Sequence, residues 1–238
     1  MKIALIGYGK MGQMIEGIAV ERGHEVVLKI NIDNVDDFIE GNIKAADVAI
    51  EFTAPESAYS NVMRCLQFGV PVVSGSTGWN DQLEKAKEHC QQVEGTFLHA
   101  SNFSIGVNIF FEINSRLAQL MAAQKEYEVS IKEVHHTQKK DAPSGTAVTL
   151  AEGVLQHIKT KKGWINTDAS TPDQLSIISE RIDPAPGTHH VKYTSEIDDI
   201  EIIHTAHNRK GFAMGAVLAA EYIHNKKGVF TMKDVLQF

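Results

Sequence analysis

Cysteine is scarce in this 238-residue sequence, and long apolar runs are absent. Cys65 and Cys90 are the only cysteines, each in a helical pattern and without CxxC spacing, so we interpret both as reduced residues of a cytoplasmic protein. No apolar run approaches the roughly 20 residues that a transmembrane helix needs. Glycines interrupt the short apolar run at the N-terminus, so we predict neither a signal peptide nor a membrane partner.

Basic residues are outnumbered by acidic ones. The sequence has 23 Lys and Arg against 30 Asp and Glu, which gives a net charge of −7. Because a nucleic-acid binder needs a basic face to neutralise phosphates, this balance argues against nucleic acid as a partner. Hydrophobic residues make up 43% and charged residues 22%, as in globular proteins, so we expect one large or two modest folded domains.

Strand and helix patterns alternate over roughly the first hundred residues. Short apolar runs predict five strands, and helical patterns begin near Met11, Pro55 and Asn80. The strand segments are KIALIG, HEVVLKI, DVAIEF, VPVVSG and TFLHA. Strands that alternate with helices at this spacing form parallel βαβ units, so we predict an α/β fold with an open, doubly wound, Rossmann-like parallel sheet.

The pattern changes after about Ser104. Predicted helices over 107–123 and 144–158 flank the alternating segment YEVSIKEVHH, and three further candidate strands follow without helices between them. We therefore predict a second domain of α+β type with an antiparallel or mixed sheet. The predicted division is 1–104 plus 209–238 for dinucleotide binding and 105–208 for the second domain. The polar stretch 159–174 is expected to be mobile.

The first predicted turn carries the pattern G-x-G-x-x-G between a strand and a helix. Its glycines are Gly7, Gly9 and Gly12, and the residues between them include Tyr8, Lys10 and Met11. The first glycine permits the tight turn, the second lets the backbone approach a pyrophosphate, and the third allows close helix–strand packing. The phosphates then lie at the helix N-terminus, where free N–H groups favour negative charge. The turn predicts a dinucleotide site, against the alternative of a glycine-rich turn without a ligand.

The residue expected to contact the adenosine ribose is Asn31, which closes the second strand. A carboxylate there would bind the ribose hydroxyls and favour NADH. Asn31 does not repel a 2′-phosphate, and Lys29 would attract one if it faces the site, so both NADPH and NADH fit the sequence. Two loops after later strands are expected to border the same cleft, unless they are ordinary polar turns. Their predicted cofactor-binding residues are Gly75, Ser76, Thr77, Ala100, Ser101, Asn102 and Phe103.

Histidines and lysines are concentrated in the segment EVHHTQKKDAPSGTA, residues 133–147. If the strand continues to His135, that side chain shares a face with Glu133, whereas His136 points the other way. Two different roles are therefore expected for the two histidines. Adjacent histidines on a strand are also poorly spaced to chelate one ion, so we predict no metal site.

The same segment contains a helix start. Pro143 followed by Ser144 is a helix N-terminal signal. Gly145 leaves room for a ligand near the first-turn N–H groups, and Thr146 adds a hydroxyl. With Lys139 close by, the segment is typical of a site for a small dianion. A solvated loop with an ordinary helix cap is the alternative.

The segment resembles the dihydrodipicolinate reductase pattern E-x-H-H-x-x-K-x-D-x-P-S-G-T-A at every fixed position. The segments GYGKMG, GSTGW, ASNFSIGVN and HTAHNRKGFAMGA are similar to other segments of that family, so the resemblance covers nearly the whole chain. It implies NADPH- or NADH-dependent reduction of a cyclic dicarboxylate, 4-hydroxy-tetrahydrodipicolinate, to tetrahydrodipicolinate in the diaminopimelate route to lysine. It also implies a cytoplasmic homotetramer assembled through the sheet of the second domain.

The resemblance assigns roles to individual residues. It implies that His135 is the acid–base residue and Lys139 the proton donor to the ring, after hydride transfer from the nicotinamide. His136, Gly145 and Thr146 are implied to bind the substrate carboxylates. A lysine beside a dianion stays charged, so Lys139 would act as both clamp and acid.

The chain departs from the family pattern in three places. Its nucleotide loop is one residue shorter, Asn31 replaces the usual acidic ribose contact, and residues 180–190 follow R-x-G-x-x-x-G-x-H-x-V only loosely, with Arg181 and His189 as candidate equivalents. Arg209 and Phe212 are expected to pack or to contact the cofactor loop. Two other functions fit the sequence: a non-catalytic NAD(P) sensor, and an oxidoreductase for a different small dicarboxylate.

Overall fold

The computed structural model describes residues 1–238, which divide into two compact units. Unit 1 contains Met1–Ile105 and Lys210–Phe238, and unit 2 contains Gly106–Arg209. None of the helices combines the length and the apolar character that a membrane span requires.

The strands and helices follow the alternation expected from the sequence. The strands are β1 (Lys2–Ile6), β2 (Glu25–Ile30), β3 (Val48–Glu51), β4 (Val72–Ser74), β5 (Thr96–His99), β6 (Glu128–His135), β7 (Gly163–Ile165), β8 (Gln174–Arg181), β9 (Thr188–Thr194), β10 (Asp199–Thr205) and β11 (Gly228–Phe230). The α-helices are α1 (Lys10–Glu21), α2 (Glu40–Ile43), α3 (Pro55–Gln67), α4 (Leu83–Gln92), α5 (Ile105–Met121), α6 (Gly145–His157), α7 (Lys210–Ile223) and α8 (Met232–Leu236). Short 3₁₀ helices cover Ile32–Asp37 and Asn80–Gln82.

Unit 1 is built on a six-stranded sheet in the order β11-β5-β4-β3-β1-β2, and every pair in it is parallel. The predicted doubly wound, Rossmann-like α/β sheet is therefore confirmed. The chain order reverses between β1 and β3, and in open sheets of this kind ligands bind outside the carboxyl ends of the strands at such a point.

The sheet of unit 1 separates two apolar cores. Ile3 and Leu5 of β1 belong to one core, and Ala4 and Ile6 belong to the other, because successive side chains of a strand point to opposite faces. The first core also contains residues of α1 and α7, and the second contains residues of α3 and α4. Burial on both faces explains why the β1 sequence is continuously apolar rather than alternating.

Unit 2 is built on a mixed five-stranded sheet in the order β10-β9-β6-β8-β7. Its central strand β6 pairs parallel with β8 and antiparallel with β9. Alternate residues of β6 are buried, namely Val129, Ile131, Glu133 and His135. The α+β second domain with a mixed sheet is thus confirmed, and an acidic and a basic residue occupy the buried face of its central strand.

Three short elements differ from the predictions. The strand β11 and the helix α8 follow the final long helix, where the sequence pattern predicts no further element. The strand β7 lies inside the polar stretch 159–174, which was expected to be mobile. In that stretch Lys161 is buried, and its ammonium group donates to the carbonyl oxygens of Pro172 and Gln174 at 2.8 and 3.0 Å. These buried donations give the polar stretch a fixed structure that its composition does not indicate.

Candidate functional site

The glycine turn after β1 is held closely by its surroundings at two of its three glycines. Gly7 has φ of +97°, and a Cβ atom there would lie 2.0 Å from the carbonyl oxygen of Phe52. A Cβ atom on Gly12 would lie 2.3 Å from the carbonyl oxygen of Gly7. Nothing lies within 4 Å of the Cβ position at Gly9, so the second glycine faces open space. Gly7 and Gly12 are thus closely packed, and Gly9 leaves the open space that the predicted approach to a pyrophosphate requires.

The start of α1 is suited to an anion. Gly9 is its N-cap residue, and no side chain caps the helix. The first N–H groups of a helix lack partners within the helix, and the helix dipole makes that end positive. Together with the open space at Gly9, this end of α1 fits the pyrophosphate of a dinucleotide.

A cavity of about 400 Å³ lies beside the glycine turn. Its lining includes Gly7, Tyr8, Gly9, Asn31 and Arg64. The predicted ribose residue and the glycine turn therefore share one cavity. No carboxylate lines it, and Arg64 is its one charged lining residue.

Polar contacts involve Asn31 and Arg64, which line this cavity, and the nearby Lys29. The Oδ1 atom of Asn31 accepts from the N–H of Ile32 at 2.8 Å, which leaves the side-chain amide to donate elsewhere. Lys29 pairs with Glu16 and lies 4.9 Å from the centre of the Tyr8 ring, so its charge is already compensated. Arg64 donates to the carbonyl oxygen of Phe38. Sequence reasoning missed Arg64, because nothing in a helical pattern tells which helical arginine reaches a cavity.

A buried carboxylate supports the loop after β4. Glu51 is 0% exposed and accepts from the hydroxyls of Ser74 and Ser76 at 2.6 and 2.7 Å, and from the N–H of Thr53 at 3.0 Å. The Ser76 hydroxyl also accepts from the Thr53 N–H at 2.8 Å. Glu51 therefore joins the ends of β3 and β4, and the predicted cofactor loop that contains Gly75, Ser76 and Thr77 begins after β4. Sequence reasoning missed it.

The remaining predicted residues of unit 1 differ in exposure. A Cβ atom on Gly75 would lie 2.1 Å from the Phe52 ring, whereas Thr77, Ser101 and Lys10 are exposed. Phe103 is 2% exposed, and its ring centre lies 5.7 Å from that of Phe52. Ala100, Asn102 and Met11 are partly buried. Phe103 is therefore a core side chain, and any contact that it makes with a cofactor is through its backbone.

In unit 2, His135, one of the predicted site residues, lies beside a second buried carboxylate. Glu133 is 0% exposed and accepts from the N–H of Ser144 at 3.1 and 3.2 Å, one distance to each oxygen. Its Oε1 atom also accepts from the Ser179 hydroxyl at 2.8 Å and from Nη2 of Arg181 at 3.2 Å. Donors from β8 and from the start of α6 thus fix this carboxylate of β6.

Two imidazoles lie against the other oxygen of Glu133. The Oε2 atom is 3.4 Å from Nε2 of His135 and 3.7 Å from Nε2 of His189. The two Nε2 atoms are 3.3 Å apart. The Ser144 hydroxyl lies 3.2 Å from Nε2 of His189 and accepts from the N–H of Ala147 at 3.2 Å. His189, from the loosely matching segment, thus belongs to the same cluster as His135.

Burial and hydrogen bonding shift the pKa values of Glu133 and His189 in opposite directions. Burial alone would raise the pKa of Glu133, but hydrogen bonds from its neighbours, His135 first, outweigh it and hold this pKa well below its usual range. Burial lowers the pKa of His189 more than Glu133 raises it. The cluster therefore holds an ionised carboxylate beside a neutral His189 imidazole.

The loop after β6 carries the predicted lysine. The Lys139 ammonium lies 2.8 Å from Oδ1 of Asp141, and this pairing contributes to lowering the pKa of Asp141 against the raising effect of burial. Arg181 donates to the carbonyl oxygens of both residues, at 3.3 Å for Lys139. His136 is partly buried. Arg181 therefore links the buried carboxylate to the loop, a role that sequence reasoning left undetermined.

The helix α6 begins where the sequence predicts. Ser144 is its N-cap residue, and its side chain accepts from the N–H of Ala147. Nothing lies within 4 Å of the Cβ position at Gly145, and Thr146 lies in the first turn. The exposed glycine leaves this helix end accessible to an anion, as predicted for a carboxylate site.

The cluster of Glu133, His135 and His189 also has the donor set of a metal site. Their ligand atoms lie within 4.8 Å of one another. However, Glu133 already accepts from Ser144, and the Arg181 guanidinium lies on the same carboxylate. A divalent cation would be repelled by that positive charge, so the donor set fits a cation poorly. The prediction of no metal site rests on this repulsion and on the spacing of the histidines.

Comparisons with known proteins identify relatives along the whole chain. Residues 1–103 match the family model "Dihydrodipicolinate reductase, N-terminus", and residues 106–236 match "Dihydrodipicolinate reductase, C-terminus". The chain is 50% identical to a 4-hydroxy-tetrahydrodipicolinate reductase of Christiangramia forsetii, covering 99% of this chain and 98% of the relative. It is 32% identical to a protein of the same name from Neisseria meningitidis, covering 93% and 83%.

A solved structure gives the same result. The fold matches a dihydrodipicolinate reductase of Paenisporosarcina sp. TG-14, solved with dipicolinate bound, at a TM-score of 0.78 and 25% identity. The match covers 98% of both chains.

Proposed function

The chain belongs to the dihydrodipicolinate reductase family, and we propose that it reduces 4-hydroxy-tetrahydrodipicolinate to tetrahydrodipicolinate, using NADPH or NADH. The observation that carries the proposal is the cluster at the end of β6 and the start of α6. There an open helix N-terminus, a lysine and two imidazoles meet in a protein of net charge −7. An anionic substrate needs local positive charge of this kind, because the protein as a whole repels it.

The dinucleotide has a site that fits it in unit 1. The pyrophosphate would lie on the N–H groups at the start of α1, next to Gly9, and the adenosine would enter the cavity that contains Asn31. Ser76 and Thr77 are proposed to contact the nicotinamide half. When bound, the nicotinamide supplies the hydride. We assign residues 1–104 plus 209–238 to dinucleotide binding and 105–208 to substrate binding and assembly.

The substrate carboxylates are proposed to bind at the start of α6. Gly145 leaves open space at the start of the helix, Thr146 offers a hydroxyl and His136 an imidazole. Such charge-assisted hydrogen bonds are stronger than those between neutral groups. They would fix the ring so that one face receives the hydride.

Lys139 and His135 then handle protons. Hydride addition leaves negative charge on the adjacent ring carbon, and we assign the proton that quenches it to the Lys139 ammonium. His135, held at the end of a strand rather than on a loop, is assigned as the acid–base residue. In the free protein the Lys139 ammonium lies 2.8 Å from Oδ1 of Asp141, so it has a carboxylate partner before the substrate binds.

We propose that unit 1 binds both NADPH and NADH. The cavity has no carboxylate to repel a 2′-phosphate, and Arg64 supplies a positive charge. Lys29, paired with Glu16, is left out of this proposal. Asn31→Asp tests the assignment, because a carboxylate at the ribose would favour NADH.

A cytoplasmic homotetramer is proposed from the family resemblance. Its support in unit 2 is the outer strand β10, where Ile200 and Ile203 are 37% and 53% exposed. Exposed apolar side chains on an edge strand favour association with another chain. Sedimentation of the purified protein measures the state directly.

A spectrophotometric assay tests the function. NADPH and NADH oxidation is followed with freshly prepared substrate, using the unchanged protein and the variants His135→Ala and Lys139→Ala. Each variant is expected to slow turnover by roughly 10²-fold or more while nucleotide binding persists. Nucleotide binding without any oxidation would instead favour an NAD(P) sensor. Oxidation with another dicarboxylate only would favour a different oxidoreductase.

A further inference from the structure

We propose that Glu133 and His189 are positioning residues for His135: the first supplies a fixed counter-charge, and the second a neutral hydrogen-bond partner at the imidazole Nε2. The inference rests on the proposed function, because it assumes that His135 is the acid–base residue. It adds that this imidazole works only in the orientation and charge state that two buried neighbours set.

Glu133 cannot move to follow a substrate. It is completely buried, and its Oε1 atom is occupied by the Ser179 hydroxyl and the Arg181 guanidinium. The Ser144 N–H donates to both oxygens. Since these three donors define the plane of the carboxylate, its Oε2 atom is directed at the imidazoles and stabilises a proton on whichever one takes it.

The hydrogen bonds of Ser144 and His189 bear on which of the two imidazoles takes the proton. The Ser144 hydroxyl oxygen accepts from the Ala147 N–H, so its own proton is free to point to Nε2 of His189, 3.2 Å away. The Nε2 atom of His189 has a single lone pair, so it accepts either from this hydroxyl or from Nε2–H of His135, 3.3 Å away. Accepting there places the proton of His189 on Nδ1, which is buried without a partner. We assign the accepted hydrogen bond to His135, so that the mobile proton lies on His135.

The opposite edge of the His135 ring is bounded by a glycine. A Cβ atom on Gly187 would lie 2.8 Å from Cε1 and 3.1 Å from Nδ1 of His135. Any side chain at position 187 would have to displace the ring. The imidazole is thus held between Gly187 on one edge and the Glu133–His189 pair on the other, which is the packing expected of an oriented reactive group.

Other ionisable groups surround this cluster. Arg181 of β8 donates to Oε1 of Glu133. Burial lowers the pKa of His189 of β9, and Lys139 of the loop after β6 lowers it further. Burial also lowers the pKa of its cross-strand partner His204 of β10, and His189 adds to that effect. The carboxylate within 4 Å of the His135 imidazole is that of Glu133.

The first test is Glu133→Gln, with Glu180→Gln as the matched control. Glu180 pairs with Lys132 at 2.8 Å in a partly exposed ion pair of the same sheet. We expect E133Q to lower kcat by roughly tenfold to a hundredfold with the KM for NADPH unchanged. In NMR spectra of the full-length protein without substrate, the ring signals of His135 should move in E133Q, because the carboxylate 3.4 Å from its Nε2 atom loses its charge. E180Q should match the unchanged protein in both measurements.

His189 is tested by a rescue series. His189→Ala should lower kcat by roughly tenfold or more. His189→Gln places an amide oxygen near the former Nε2 atom, where it can accept the same hydrogen bond, so it should recover most of the loss. If H189A and H189Q are equally impaired, His189 acts otherwise than by accepting at Nε2, and its positioning role is overturned.

The outcomes separate this inference from the proposed function. If the unchanged protein reduces no dicarboxylate but the His135 ring signals still move in E133Q, the proposed function fails and the positioning stands. If the protein is an active reductase and the His135 ring signals are the same in E133Q, the positioning by Glu133 is wrong. Should E133Q not fold, the ring signals are read in the H189A and H189Q proteins, where unchanged signals and unchanged kcat would likewise overturn the inference.

Discussion

Alanine substitution should have different effects at two glycines of the same turn: it should lower stability at Gly7 and NADPH affinity at Gly9. In Gly7→Ala the new Cβ atom would lie 2.0 Å from the Phe52 carbonyl oxygen, at a residue whose φ is +97°. The left-handed conformation costs roughly 1–2 kcal/mol, and forcing an atom into a packed site adds about 1–3 kcal/mol, so the free energy of unfolding should fall by roughly 2–5 kcal/mol. At about 2–4 °C for each kcal/mol, the loss is readily seen as a lower Tm.

In Gly9→Ala the backbone φ is −86°, which alanine adopts, and nothing lies within 4 Å of the new Cβ. Stability should therefore change by less than about 0.5 kcal/mol. The methyl group would, however, occupy the open space that we assign to the pyrophosphate, so NADPH affinity should fall by tenfold or more, about 1.4 kcal/mol. Thermal unfolding and fluorescence titration with NADPH measure both quantities. An unchanged NADPH affinity in G9A would refute the placement of the dinucleotide at this turn.

Three other changes test separate parts of the molecule. Asn31→Asp should raise the NADH to NADPH ratio of kcat/KM, and an unchanged ratio would mean that the ribose lies elsewhere. Glu51→Gln should lower the free energy of unfolding by about 1–3 kcal/mol, measured by urea denaturation, because its amide cannot accept from all the buried donors. The folded-state pKa of Glu133 lies below its usual 4.5, so the unfolded chain takes up the proton first as pH falls. The stability that the ionised Glu133 carboxylate provides above pH 4.5 should therefore be lost as the pH falls below 4.5. This loss should be smaller in Glu133→Gln.

The fold was predictable where the sequence pattern reports burial directly. The five apolar runs of unit 1 are strands because both faces of that sheet are covered, and the alternation of β6 is visible because one face of its sheet is buried. The strand β11 was not predicted, because three residues, Gly228 to Phe230, are too few to show a period. The buried ammonium of Lys161 gave no signal either, since its partners are backbone oxygens that composition does not reveal.

The sequence predicted only those parts of the candidate site that lie close together along the chain. His135, His136, Lys139 and the start of α6 are near in sequence, so one segment contains them all. The partners that give them their chemistry come from other strands, and pairing decides which they are: β6 lies next to β8, which brings Arg181 opposite His135. Register of this kind is set by the whole sheet, so no local pattern could identify Arg181 or His189 as a neighbour of Glu133.

The two buried carboxylates show how the same side chain acquires different roles. Glu51 ends β3 and is surrounded by hydroxyl and N–H donors, which are neutral. These hydrogen bonds join the end of β3 to the end of β4 and to the loop after it. Glu133 lies in an equally buried place on β6, but its partners include a guanidinium and two imidazoles. There the negative charge lies beside imidazoles, which can gain or lose a proton.

Glutamine substitution should therefore separate the two sites by kind of effect. A glutamine at position 51 removes hydrogen-bond acceptance, and the titrating group that senses this carboxylate is the buried Cys65, whose pKa is raised mainly by burial, so stability should change and pH profiles should not. At position 133 it removes the counter-charge of His135, so the pH dependence of kcat/KM should move with it. Equal pH profiles for the E51Q and E133Q proteins would mean that Glu133, like Glu51, only holds a loop in place.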